Sequence, residues 1–531
     1  MSNNRNTELA WNYHNTTKHS YASIRTNAHS LDFANQPLPF KIYATIDPLP
    51  LPRDVRQAGV AALSAIAGGV PAHTEAAPDL EAVAQLLYLS AGITRHRKYP
   101  GGEIYFRAAA CTGALYEVEL YLVCDDLNGL PAGVYHFGAA EFGLRLLRAG
   151  EYRSVLVEAT GGESAIAHAP LTIVCTCTYW RNAWKYQART YRHFGWDNGT
   201  LLANLLAVAT ALGLPSKVVC GFVDETLNRL LDVDPQREVT FSLVALGYNS
   251  GLPSRTAPRV STEVPALGLE TVPLSQHEVD YPLMREMHAA SSLESPEEVA
   301  AWRQGTERSS LPSVSEIPPV FIPPENVPAG PVVPLLSLSD TEMLLDPIEQ
   351  VILRRGSSRK FARTSISLTQ LSTILDRATR GVTTDFLTPS GPQLSHLYLI
   401  VHAVEGLAAG AYVFDRDRGV LECLKQGDFR AQAGYLGLEQ ALPADAAVDI
   451  FFLADLRPIL ERMGNRGYRA AQLEAGIIGG NLYLAAYAQR LGATGLTFYD
   501  DDVTLFFSPH AAGKSALFLV AVGNSVKTNA H

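Results

Sequence analysis

No apolar run in this sequence is long enough to span a bilayer, and its opening residues, MSNNRNTELAW, lack the apolar core of an export signal. Both absences predict a cytoplasmic chain with no membrane anchor. Cysteine is scarce: six in 531 residues, and Cys111, Cys124, Cys175, Cys177, Cys220 and Cys423 form no Cys-x-x-Cys pair. That excludes a disulfide framework and a zinc ribbon. Cys175 and Cys177, alternate residues of one apolar run, read as small buried hydrophobes. Positive charge is in deficit, with 43 Lys and Arg against 53 Asp and Glu and a net charge of −10. A nucleic-acid partner would call for a concentrated basic surface, so that class is disfavoured. The histidines show no metal-ligand spacing; His14, His19, His96, His193 and His510 read as scattered surface or capping residues, and no metal is expected. Neither Gly-x-Gly-x-x-Gly nor a Walker loop occurs, which argues against a separate dinucleotide or ATP domain.

What the chain does contain is a repeat of itself. ELYLVCDDLNGLPAGVYHFG, from Glu119, meets HLYLIVHAVEGLAAGAYVFD, from His396, at an offset of 277. The same offset sets Tyr121 on Tyr398, Gly133 on Gly410, Tyr191-Arg192 on Tyr468-Arg469, Gly199 on Gly476 and Asn204 on Asn481. Near the end it slips to 276, where Gly247 meets Gly523. The period is a whole domain, so this is a tandem pair and not a solenoid. We expect an N-terminal extension over 1–75 that decorates the first copy, domains over 76–250 and 341–531, and a linker over 251–340. Pro312, Pro318, Pro319, Pro323, Pro324, Pro328, Pro331 and Pro334 crowd the second half of that linker and predict extended chain. Ser295-Pro296-Glu297-Glu298 reads as a helix start within it.

Each copy has the same coarse order. A helix (Leu80–Ala91; Leu368–Ala378) precedes a strand (Leu120–Val123; Leu397–Val401) and a short strand around Tyr-x-Phe. An apolar strand (Leu171–Cys177; Val448–Leu453), a long helix (Thr200–Leu212; Glu474–Gln489) and a final strand (Phe241–Ala245; Leu517–Val522) follow. Helices around a mostly antiparallel sheet make an α+β fold. Asp197 and Glu474 fall just before the long helices and read as start caps, and Asp224-Glu225 and Asp500-Asp501-Asp502 as first-turn acids. Arg95-His96-Arg97-Lys98 reads first as a solvated basic loop; an acidic peptide or a phosphate are its alternative partners.

Arg355-Gly356-Ser357-Ser358-Arg359-Lys360-Phe361 places two guanidinium forks and a hydroxyl where they can orient a phosphate dianion. This Arg-x-Ser-x-Arg-x-Phe resembles the flavin-phosphate motif of the nitroreductase superfamily. Further pieces resemble its SagB-type branch, the FMN-dependent dehydrogenases that oxidise azoline rings in ribosomally made peptides. They are Tyr13-His14-Asn15-Thr16-Thr17-Lys18-His19-Ser20 and Arg107 to Tyr116, in which Ala110-Cys111 replaces Pro-Ser before Thr112 and Gly113. Lys185-Tyr186 and Gly495-Leu496-Thr497-Phe498-Tyr499-Asp500-Asp501 complete the set. The resemblance implies two nitroreductase-like domains closing as an intrachain pseudo-dimer around FMN, with pairing to a further chain left open. It implies that Arg355, Ser357 and Arg359, with Cys111, Thr112, Gly113, Gly495, Leu496, Thr497 and Phe498, hold the cofactor. Lys185 or Tyr186 would be the general base. Phe498 and Tyr499 read equally well as core aromatics, and Lys514 and Lys527 are weaker phosphate candidates.

The copies have decayed in complementary ways. Copy one has no Arg-x-Ser-x-Arg, and copy two carries Arg462-Met463 where copy one has Lys185-Tyr186. One complete site, and one FMN per chain, is therefore expected. Three functions compete: an azoline-type dehydrogenase acting on a peptide or small-molecule natural product, an NAD(P)H-dependent nitro- or quinone reductase, and a degenerate scaffold subunit. Only the first needs a base at carbon.

Overall fold

A computed structural model of the chain describes residues 3–54, 56–99, 102–252, 264–307, 330–342, 344–387 and 393–526. Each copy is built on one antiparallel sheet. In copy one, Leu171–Thr178 lies at the centre between Val118–Cys124 and Glu238–Leu246, all fully buried. Gly133–Gly138, Gly143–Ala149 and Leu49–Pro50 extend one edge, and Ser216–Val219 closes the other. Copy two repeats this, with Val448–Ala454 central between His396–Val401 and Ser515–Ser525. Strands buried on both faces do not alternate apolar with exposed residues, and their buried acids are paired, Glu119 with Arg181, Glu238 with Lys41 and Asp449 with His402. The first helices match expectation, Leu80–Ala91 and Leu368–Ala378. Asp79 caps the former by accepting from the N–H of Ala82 at 2.8 Å, and Ser367 with Gln370 forms a capping box on the latter. Among the described residues no helix is long and apolar enough to cross a membrane.

The long helices begin earlier than the sequence suggests, at Thr190 and Asn465, and run to Ala211 and Ala488. Glycines and polar residues weaken the helical signal of their first turns, but nearly every residue there is buried, and packing overrides propensity. Asp197 and Glu474 are consequently inside the helices, and the expectation of start caps fails. Each grips a separate segment instead: Asp197 accepts from the backbone N–H and hydroxyl of Thr112, and Glu474 from the N–H groups of Leu394 and Ser395.

These two helices cross, and the matched residues Gly199 and Gly476 meet at the crossing. A Cβ on Gly199 would fall 2.4 Å from the carbonyl carbon of Gly476, and one on Gly476 would fall 2.4 Å from the carbonyl oxygen of Gly195. Residues equivalent under a twofold touch only on its axis, so the crossing marks a pseudo-twofold within one chain. Buried ion pairs repeat across it. Asp500 of copy two pairs with Arg189 and Arg192 of copy one, at 3.0 and 2.6 Å. Asp224 of copy one pairs with Arg466 and Arg469 of copy two, at 2.5 and 3.0 Å. Both aspartates begin helices, as expected, but their side chains join the two copies.

Residues 3–75 do more than decorate the first copy. Asn4 donates to the carbonyl of Met463, the His14 ring meets the Tyr468 hydroxyl at 3.2 Å, and Tyr13 donates to the carbonyl of Ala188. The helix Ala62–Ala67 lies in the same stretch and takes the place that Ile348–Arg354 takes in copy two; Ala61 and Pro347, which precede them, pair in an antiparallel bridge. The stretch between the copies holds the expected helix, Pro296–Glu307, and also Pro282–Ala290, whose Met284 and Met287 are buried. Pro331 precedes and Pro334 ends the edge strand Val332–Pro334, which pairs with Val420–Glu422; the prolines from 312 to 328 lie outside the described residues.

Candidate functional site

The Arg-x-Ser-x-Arg segment leaves the end of the helix Ile348–Arg354 and runs beside copy one. Arg355 is buried, and its guanidinium donates to the carbonyl of Ala108 at 2.8 and 3.0 Å and to that of Arg107 at 3.3 Å. Arg95 of copy one returns the contact by donating to the carbonyls of Leu353, Arg354 and Arg355. The basic stretch is solvated as expected, Arg95 to Lys98 all being exposed, but it is no loop: it is the strand Ile93–Tyr99 of a hairpin, and Arg95 caps a helix of the other copy. Ser357 is half-buried, its hydroxyl 3.4 Å from that of Tyr483. Arg359 is exposed and makes no hydrogen bond or ion pair among the described residues, yet it stands close enough to Lys185 and Tyr186 to lower the pKa of each.

Lys185 and Tyr186 end the helix Tyr179–Tyr186, with the ammonium 5.3 Å from the phenol ring centroid. Burial first, and Arg359 second, holds the Lys185 ammonium below the usual lysine range. Tyr186 moves the other way, because burial and the Asp197 carboxylate outweigh Arg359. Gly113 faces this phenol. Its φ is +65°, and a Cβ there would lie 2.9 Å from the Tyr186 hydroxyl oxygen, so only glycine fits without displacement.

Cys111 and Thr112 point elsewhere than their neighbour. The Cys111 thiol lies 3.3 Å from Asp197 and 3.5 Å from Glu117, and accepts from the N–H of Tyr116. Thr112 spends its N–H and hydroxyl on Asp197. Burial and the Asp197 charge push Glu117 well above the usual carboxyl range, so Glu117 carries the proton of the pair. Burial raises Asp197 too, against the hydrogen bonds it accepts from Glu117, Thr112 and Cys111, and those bonds fix the loop that carries Gly113.

On the copy-two side, the Gly495 N–H donates to the Tyr483 hydroxyl, and the Thr497 hydroxyl lies 3.2 Å from the His19 ring. Leu496 is half-buried, whereas Phe498 is fully buried, its ring 6.3 Å from that of Trp196 and under the Arg189 guanidinium. The core reading of Phe498 is therefore right for its side chain. Tyr483 and His19 were missed. Tyr483 links Ser357 and Gly495 and lies 5.9 Å from the Arg355 guanidinium carbon, and nothing in its sequence context marks it. His19 had a signal, since it belongs to the opening signature; burial and Arg189 depress its pKa to about 3, so the ring is neutral. Lys514 stands beside Asp455, His396 and His510, and Lys527 lies outside the described residues. Residues from both copies thus meet here: Arg355 of copy two bonds the carbonyls of Arg107 and Ala108 of copy one, and the charge of Arg359 acts on Lys185 and Tyr186.

The sequence profile of the Nitroreductase family matches residues 73–248 and again 352–522. The chain belongs to the nitroreductase family. It carries that family's domain twice, and it is an oxidoreductase of a superfamily that generally binds FMN. It is 25% identical over 154 residues to the nitroreductase-named protein MJ1384 of Methanocaldococcus jannaschii, spanning 29% of this chain and 74% of that one. It is 28% identical over 170 residues to the trifolitoxin-processing protein TfxB of Rhizobium leguminosarum, and 28% over 148 residues to the microcin B17-processing protein McbC of Escherichia coli. Those matches cover 31% and 27% of this chain, but only 46% and 50% of the two processing proteins, about half their length. A solved structure named as a nitroreductase of Anabaena variabilis superposes over 98% of this chain and 99% of its own, with TM-score 0.74 and 24% identity. The tandem, two-copy architecture is therefore shared over the full length.

Proposed function

We propose that this chain is an FMN-dependent dehydrogenase that holds one FMN between its copies and oxidises a peptide or natural-product substrate, azoline to azole in type. The observation that carries the reading is that the copy-two Arg-x-Ser-x-Arg segment packs on copy one, with Arg355 donating to the carbonyls of Arg107 and Ala108, a few residues before Gly113, which faces Tyr186. FMN, when bound, would supply the acceptor for a hydride from substrate carbon. Arg355, Ser357 and Arg359 would hold its phosphate, and the backbone N–H groups of Thr497 and Phe498 would face its ring. Lys185 takes the proton that leaves carbon in the same oxidation. Burial and Arg359 move its pKa down, the direction a base requires, and the raised pKa of Tyr186 keeps that phenol a hydrogen-bond donor instead. The likeness to two peptide-toxin processing proteins supports a peptide substrate. The nitroreductase name of the archaeal relative favours a second reading, reduction of an acceptor by NAD(P)H.

The untreated protein is expected to show a flavin visible spectrum at one FMN per chain; two, or none, would contradict the proposal. Rapid bleaching of the bound flavin by NADPH under argon would select the second reading. Arg359→Ala is expected to weaken FMN retention by about 1.5–3 kcal/mol, the worth of a hydrogen bond to a charged group, and to leave the melting temperature unchanged. Arg355→Ala should also lower the melting temperature, because Arg355 ties two carbonyls of copy one. An Arg359 variant that retains FMN like the parent removes that residue from the clamp.

A further inference from the structure

The pseudo-twofold that builds one cleft from Thr497 and Tyr186 builds a second from their counterparts, Gly221 and Met463. The chain fills that second cleft itself. Trp302, from the helix Pro296–Glu307, is 1% exposed and packs so close to Gly221 that a Cβ there would fall 3.0 Å from indole Cζ3 and 3.1 Å from Cε3. Its indole N–H donates to the carbonyl of Met463 at 2.9 Å. The backbone N–H groups of Cys220 and Gly221 donate to the Asp385 carboxylate, each at 2.8 Å. Arg303, the next residue of the helix, pairs with Glu163 at 3.2 Å and with Asp385 at 3.6 Å. An aromatic ring thus touches the counterparts of both Thr497 and Tyr186, and a carboxylate takes the N–H groups of Cys220 and Gly221, the counterparts of Leu496 and Thr497.

We infer that Trp302 is a built-in surrogate for a flavin ring, occupying a second site of planar-aromatic size that the chain has kept and closed to ligands. The inference rests on reading the first cleft as the flavin site. It adds a cause to the expected single FMN: the second cleft is shut by a side chain from the stretch between the copies, besides lacking a phosphate clamp. Trp302 is not placed in the catalytic machinery, so its removal leaves the first site intact.

The test is made on the full chain with Trp302→Gly and with Trp302→Val, which keeps more apolar bulk. Lumiflavin, a flavin ring without the phosphate tail, is the probe, and its fluorescence quenching is titrated after FMN content is measured. The parent is expected to bind no lumiflavin beyond its FMN. A folded variant is expected to keep one FMN and to bind one lumiflavin more, with its melting temperature raised by lumiflavin or by indole, neither of which shifts the parent. A folded variant with full FMN and no added lumiflavin overturns the inference. So does failure of both variants to fold even when refolded with indole, because Trp302 would then be an ordinary core residue. A parent without FMN would sink the proposed function and leave this titration readable by itself.

Discussion

Lys185→Ala is expected to leave the protein yellow and to cut turnover by about 10²–10⁴-fold, the usual worth of a positioned general base. The side chain is half-buried and makes no ion pair among the described residues, so its removal strands no counter-charge, and loss of its contact with the Tyr186 ring should move the melting temperature little. The pH profile separates a base from a merely structural lysine. Only the neutral amine accepts a proton, so kcat/KM should rise with pH through the depressed Lys185 pKa and level above it. Arg359 contributes to that depression as a neighbouring cation. Arg359→Gln, assayed at saturating FMN, should therefore move the rising limb to higher pH. Lys185→Arg, permanently charged, should be as inactive as the alanine variant. Unchanged turnover in Lys185→Ala, or a limb that ignores Arg359, would remove Lys185 from the chemistry.

Asp500→Ala should cost about 3–5 kcal/mol of stability, because it strands Arg189 and Arg192 in the interior without a counter-charge. Asp500 also accepts from the N–H of His19, so the loss extends to the N-terminal segment beside Thr497. The effect should appear both as a lower urea midpoint and as weaker FMN retention, since the two copies are held together at this point. Acid should mimic the mutation. Burial raises the Asp500 pKa, but Arg189 and Arg192 outweigh it and hold the carboxyl well below its usual range. A carboxyl depressed in the folded state stabilises above its unfolded pKa, about 4, and that contribution is lost as pH falls through the folded value. The parent should lose stability progressively below about pH 4, and Asp500→Ala should show a shallower acid slope. Equal slopes in the two proteins would mean that Asp500 carries no linked proton.

Several features of the site were legible in residues alone. Arg355, Ser357 and Arg359 sit in one heptapeptide, Lys185 and Tyr186 are adjacent, and the duplication showed which copy had lost which part. Other features were not, because they are contacts between residues far apart in the chain. Asp197 looked like a helix cap from its local sequence, yet it reaches across to Thr112, and no local rule reports a partner 85 residues away. Arg95 reads as part of a loop, yet it lies on a strand and caps a helix of the other copy. Tyr483 and Trp302 carried no pattern at all.

The sequence by itself determined the duplication, the α+β elements and the asymmetry between the copies, since periodicity, caps and lost motifs are local properties of the chain. The tertiary structure alone decided that Gly199 and Gly476 share an axis, that buried aspartates are exchanged between the copies, and that an indole closes one of two equivalent clefts. Those depend on how closely two helices can approach and on which distant groups must neutralise one another once water is excluded.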